Sequence, residues 1–155
     1  MRAFDPLPAA TLAAHLNAVL CTPEQLPSLT SEQVSLLLAS NSWSAAVVRQ
    51  EPLWIVYHPR HAPARRESDL MHELAHVLLK HPLVGFNLTT GLPQRRLQDE
   101  DEATYLGGCL QIPRRGLLWA VERKMTLAEM CAHFGASEKM VRFRGNVTGA
   151  SISHV

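Results

Sequence analysis

The sequence predicts a single α+β domain, mostly helical with a small β-sheet, on three observations. The chain has 155 residues, 46% hydrophobic and 19% charged, the size and composition of one compact domain that buries its own core. Two stretches rich in β-branched and aromatic residues, 45–48 and 53–57, flank Arg49-Gln50-Glu51-Pro52 and read as a hairpin or two strands of a small sheet. Most of the chain after residue 63 carries helical periodicity, punctuated by Pro82, Pro113 and Gly135.

Taken in order, 9–20 spaces Leu12, Leu16, Val19 and Leu20 as one face of a short helix. Thr30 or Ser31 caps a second helix through residue 39. The two strands follow, and His58-Pro59 ends them. Residues 64–80 contain no proline or glycine and predict a central, largely buried helix, with Pro63 at its start, where proline is tolerated, and Pro82 as the stop. A loop is expected over 84–94. Helices are expected over 98–111, 114–124, 127–134 and 137–144, and 146–155 reads as a frayed tail. Within one domain this divides into N-terminal helices (1–42), a core with the sheet and the polar helix (43–113), C-terminal helices (114–145) and the tail. No internal repeat or linker interrupts it.

The formal net charge of +1 gives no global reason to expect nucleic acid or an anionic membrane as partner. Cys21, Cys109 and Cys131 are odd in number, far apart and in no C-x-x-C pair, the pattern of free thiols in a reducing compartment. No run approaches the roughly 20 apolar residues of a membrane span. Asp5, Pro6 and Pro8 interrupt any signal core. A cytoplasmic protein is expected.

The central helix reads LMHELAHVLLKH, an H-E-x-x-H motif. Positions i and i+4 share a helix face, so His72 and His76 can aim both imidazoles at one Zn2+. Glu73 sits one step round, close to a water on that metal, where it can act as general base. Among Leu70, Met71, Leu74, Ala75 and Val77 these polar groups are costly if left unpaired, and a metal offsets that cost. The helix is thus an active-site helix of zincin-like type. His81, five residues past His76, points off this face at about 100° per residue and reads as a solvated helix-end residue.

A third ligand must come from another element, and QDEDEATYLGGCLQIP supplies carboxylates. On a helix, Glu102 shares a stripe with Leu106, Cys109 and Leu110, the face expected to turn inward. Asp99 lies one turn earlier on that stripe, as alternative ligand or as partner of a ligand histidine. Glu100 lies with Ala103, Thr104 and Gly107, and with Asp101 it reads as a solvated first turn favoured by the helix dipole.

These residues resemble the ImmA/IrrE family of zinc metallopeptidases. HELAHVLLKH is similar to that family's HELGH-plus-aliphatic run, EATYLGGCLQIP to its E-A-N-x-F-A-x-x-L-L-x-P stretch, and WIVYHPRHAPARRESDLM to the strand and basic approach before its metal helix. The resemblance covers about residues 43–145. It implies His72, His76 and Glu102 as metal ligands, Glu73 as base, and a protein substrate, a transcriptional repressor with a helix-turn-helix domain. Ala75, Thr104 and Gly107-Gly108 depart from the family's usual residues. On this reading the strand 53–57 forms a cleft wall that receives an extended peptide.

A competing reading is a metal-dependent regulator or DNA-binding module. Residues 126–144 look like a helix-turn-helix, with Lys139, Arg142 and Arg144 on one broad face; the plainer alternative packs these helices beneath the metal helix with the basic residues solvated. Of the remaining residues, His58 and His61 read as exposed loop histidines or cleft-lining groups. His15 and His133 read as helix-surface residues, Trp43, Trp54 and Trp119 as core, and Cys109 as an inert buried thiol.

Overall fold

The computed structural model describes residues 1–83, 95–150 and 152; the loop expected over 84–94 lies outside the described residues, as does most of the tail. Among the described residues there are seven α-helices and one three-stranded sheet, so the fold is the mostly helical α+β domain expected from the sequence. No described helix is long and apolar enough to cross a membrane.

The first helix, α1 (Ala9–His15), is shorter than its apolar spacing suggests. Asn17 takes a left-handed conformation (φ 56°), which the short polar side chain tolerates and which ends the helix. Val19 and Leu20, expected on that helix, instead belong to strand β1 (Val19–Cys21). Pro8 offers no capping side chain. The Ala9 N–H instead donates to Glu67 Oε2 at 2.9 Å, which satisfies an orphan donor of the first turn and ties α1 to the central helix.

Helix α2 (Ser31–Ala39) opens on Thr30, whose hydroxyl accepts from the Gln33 N–H while the Gln33 side chain accepts from the Thr30 N–H, a reciprocal capping box. Strands β2 (Ala45–Gln50) and β3 (Leu53–Tyr57) pair antiparallel, with a register shift between Val47 and Arg49. Strand β1 joins β3 in parallel, so the order is β1-β3-β2. The strand expected to receive a peptide is therefore the central one, with both edges paired, and β2 is the edge strand beside the central helix.

The central helix, α3 (Pro63–Leu78), has Pro63 in its first turn and buries Leu70, Met71, Leu74 and Ala75. Leu70, Met71 and Leu74 close one core with Ala9, Ala13, Ala45, Val47, Leu53 and Ile55, so apolar burial from α1, the sheet and α3 fixes the depth of the polar motif. On the far side of the sheet Trp43, Leu37 and Val56 form a second core, and the Trp43 indole N–H donates to the Leu37 carbonyl at 2.8 Å. Trp54 and Trp119 are half-buried against the cores.

Helix α4 (Leu97–Gln111) lies against α3 through its smallest residues, Ala103 and Gly107, both buried. A Cβ at Gly107 would stand 3.3 Å from the Cα and N of His72, so the two backbones approach with almost no side chain between them. Gly107→Val should force them apart and destabilise the fold by roughly 1–3 kcal/mol, the usual range for overpacking, read as a lower Tm. Gly108 faces the other way, toward Met140, Phe143 and Arg144.

Helices α5 (Arg114–Glu122), α6 (Leu127–Phe134) and α7 (Glu138–Thr148) build a separate core around Leu117, Met130, Phe134 and Val141. Gly135, at φ 63°, ends α6 in the left-handed region, where glycine carries no Cβ penalty. Helix α7 runs to Thr148, beyond the expected end at 144. The basic face of the competing reading does not form, and the plainer alternative, with all three basic residues solvated, fails at Arg144. Arg144 is 2% exposed and its Nε–H donates to the Ile112 carbonyl at 2.8 Å, while Arg142 pairs with Glu138 at 2.8 Å. His133 is not a free surface residue either, since its Nε2 donates to the Phe4 carbonyl at 2.6 Å and so fastens the N-terminal segment to α6.

Candidate metal-dependent active site

One turn of α3 separates His72 and His76, and their Nε2 atoms stand 3.1 Å apart. The third group at this point is Glu100, whose Oε2 lies 3.2 Å from His72 Nε2 and whose Oε1 lies 2.8 Å from His76 Nε2. The edge of a tetrahedron with metal–ligand bonds of about 2.0–2.1 Å is roughly 3.3 Å, so the three donors have the spacing of a zinc ligand set. Glu73 adds a carboxylate oxygen within 4.8 Å of both imidazoles.

Glu102 and Asp99 do not lie with this group. Glu102 Oε2 is 2.8 Å from His81 Nε2, and its Oε1 accepts from the Gln98 amide at 3.1 Å. Asp99 is held by Arg96 through contacts of 3.1 and 3.3 Å. The expected choice of face on α4 is thus corrected by about 160°, two residues of helix. The physical cause is the close approach at Gly107: the side turned to α3 is the one with least bulk, Ala103, Thr104 and Gly107, and Glu100 heads that side. Leu106 and Leu110 are only half-buried.

His81 differs from expectation too. Its side chain is 7% exposed and its Nδ1 stands 2.8 Å from His76 Nδ1. His58, far from exposed, is fully buried; its Nε2–H donates to the Ser40 carbonyl at 2.8 Å and its Nδ1 accepts from the Arg60 N–H at 3.2 Å. His61 stacks on it at 4.2 Å and is 9% exposed. Neither belongs to the cleft. Cys109 is half-buried and, like Cys21 and Cys131, is a free thiol.

Electrostatics separate the two glutamates. The contacts with His72 and then His76 hold Glu100 far below the usual carboxylate range, so it is ionised at neutral pH. Burial pushes Glu73 up to about 7, against the opposing charges of His72 and Arg95 and a backbone hydrogen bond from Val47. A carboxylate poised near neutrality is matched to proton transfer. Burial alone would disfavour protonation of His72, yet its bond to Glu100 and the surrounding negative charge raise its pKa; for His76 burial dominates and lowers it.

Arg95, which carries no motif signal in the sequence, is 3% exposed in its side chain and reaches Glu73 Oε2 at 3.5 Å and Glu100 Oε1 at 3.7 Å. Glu73 Oε2 is buried without a hydrogen-bond partner among the described residues. A cation or water at the focus of His72, His76 and Glu100 would relieve that orphaned oxygen, so the residues present fit a metal. Beside them a cleft of about 660 Å³ opens between β2 and α7, lined by Ser44, Ala45, Glu100, Lys139 and Phe143 among others.

Two imidazoles and two carboxylates of contrasting basicity at the wall of an open cleft are the parts of metal-assisted hydrolysis. No curated protein and no solved structure matches the chain significantly. A protein-family model does match, over residues 29–146, and it describes Peptidase_M78, the IrrE N-terminal-like domain. That span holds β2, β3, α3 and α4 with every residue of the site, and the chain belongs to this family of metallopeptidase type.

Proposed function

We propose that the chain is a zinc-dependent endopeptidase that cuts a peptide bond in a transcriptional repressor, with His72, His76 and Glu100 as ligands and Glu73 as general base. The observation that carries the reading is the convergence of two histidine Nε2 atoms and one ionised carboxylate within 3.2 Å of one another beside a glutamate whose pKa is about 7. Zinc held there supplies Lewis-acid polarisation of the scissile carbonyl and of the attacking water. Glu73 takes the proton of that water and returns it to the departing amide nitrogen. Arg95 faces the same point and offers positive charge where negative charge develops on the carbonyl oxygen.

The substrate enters as an extended strand along β2. Among the described residues no strand pairs with the outer edge of β2, whereas β3 is paired on both sides, and main-chain pairing there would carry the scissile bond past Glu73. The repressor as substrate, and a cytoplasmic location with it, follow from the resemblance to ImmA/IrrE. A DNA-reading role for 126–144 is the weaker reading, because Arg144 is inside the protein and Lys139 lines the cleft. Zinc-loaded protein incubated with a helix-turn-helix repressor encoded beside it should yield one pair of fragments, mapped by mass. An intact repressor alongside a protein that does bind zinc would sink the proteolytic reading.

A further inference from the structure

Helical periodicity carries His81 away from the motif, and one residue reverses that. Lys80 adopts φ 58°, a conformation that costs a non-glycine residue about 1 kcal/mol or more. The turn lets the His81 N–H donate to the His76 carbonyl at 3.0 Å and the Lys80 N–H to the Val77 carbonyl at 3.1 Å, closing the end of α3 in the Schellman manner. It also folds the His81 ring back against His76, Nδ1 to Nδ1 at 2.8 Å. The far side of the same ring meets Glu102 Oε2 at 2.8 Å and Asp99 Oδ1 at 3.6 Å.

Counting protons along this line gives it a direction. With Nε2 given to the metal, the one hydrogen of the His76 ring is on Nδ1 and meets His81 Nδ1 at 2.8 Å, so His81 accepts there and presents its own hydrogen on Nε2 to the Glu102 carboxylate, which only accepts. A neutral His76 with its hydrogen on Nδ1 has the lone pair on Nε2, the atom 2.8 Å from Glu100 and 3.1 Å from His72 Nε2. Glu100 would otherwise draw that hydrogen to Nε2 and block the ligand position. His72 has a weaker counterpart, a contact of 3.5 Å from Nδ1 to the Thr104 hydroxyl, whose own hydrogen goes to the Glu100 carbonyl at 2.9 Å.

We propose that His81, anchored by Glu102, is a positioning residue that locks His76 in the metal-binding tautomer and thereby sets the affinity of the centre. This rests on the metal reading above, and it gives Glu102 a task other than ligation. Residues in this relation to a ligand histidine typically contribute 10–100-fold in metal affinity.

The test uses the full chain and zinc alone, with the dissociation constant read by competition against a chromophoric chelator and each variant's folding checked by circular dichroism. His81→Phe keeps the bulk and removes the acceptor, and should weaken zinc binding by about 10–100-fold. His81→Asn places a carbonyl oxygen near the former Nδ1 and should recover most of that loss. Glu102→Ala, on a side chain 44% exposed, should weaken binding in the same direction by less. Wild-type affinity in His81→Phe, or equal losses in the Phe and Asn variants, overturns the tautomer lock. Should His81→Phe fail to fold, unchanged affinity in Glu102→Ala overturns it. Absence of zinc binding by the wild-type chain instead overturns the metal reading itself.

Discussion

Glu73→Gln is expected to abolish measurable peptide hydrolysis while leaving the zinc in place. The substitution nearly preserves volume and touches none of His72, His76 and Glu100, so metal content should match wild type, whereas general-base assistance is typically worth about 10²–10⁴ in rate. A stability effect accompanies it. Folding raises the Glu73 pKa from its ordinary 4.5 to about 7, so its contribution to stability is fully present below pH 4.5 and is lost as pH rises through 7. Above that, the metal-free wild type buries an ionised carboxylate at a cost of up to a few kcal/mol, and glutamine does not. Metal-free Glu73→Gln should therefore melt above the wild type at pH 8 and level with or below it at pH 4. A variant that still cuts its substrate at wild-type rate, with stoichiometric zinc, would remove Glu73 from the chemistry.

Glu100→Ala should be the most damaging change to the centre. It removes the one carboxylate shared by both histidine Nε2 atoms, and leaves two neutral imidazoles facing Arg95 with one charge fewer to balance a dication. Zinc affinity should fall by more than the 10–100-fold expected for a supporting residue, and activity with it. The comparison with Glu102→Ala is decisive, because two residues along one helix exchange roles between the sequence reading and the structure. If Glu102→Ala empties the site and Glu100→Ala leaves it full, the arrangement around α4 described above is wrong.

The motif helix was legible because its signal is dense. His72, Glu73 and His76 at fixed spacing inside an apolar run leave one face for the polar groups, and the hairpin and C-terminal helices declared themselves through β-branched clusters, capping residues and Gly135. The partner face of α4 was misread because amphipathic reasoning looks for large apolar side chains. Leu106, Cys109 and Leu110 outweigh Ala103 and Gly107 on any hydrophobicity scale, yet close helix approach selects small residues; the pair of glycines in a helix interior was the available clue. His81 was lost at Lys80, since nothing marks a lysine for the left-handed region before the turn is seen. Arg144 read as surface because buried arginine needs a partner, and that partner is the backbone carbonyl of Ile112, which carries no sequence signal. Strand β1 is too short to show a period of its own, and its first two residues, Val19 and Leu20, continue the apolar spacing of α1.

The near-contact of α3 and α4 at Gly107 has a bearing on how the proposed metal site would fill and empty. Two helices seated backbone to backbone, with separate apolar cores on their outer sides, hold the three donors in register without help from an ion. Little ordering free energy need be spent when zinc arrives, in contrast to small domains that fold only around their metal. A strong chelator should then yield an inactive chain that keeps its shape and its protease resistance, and regains activity on adding zinc without a refolding step. With zinc as the proposed metal, such a chain would respond to the zinc level of its surroundings as a reversible gauge, rather than being destroyed when zinc runs short.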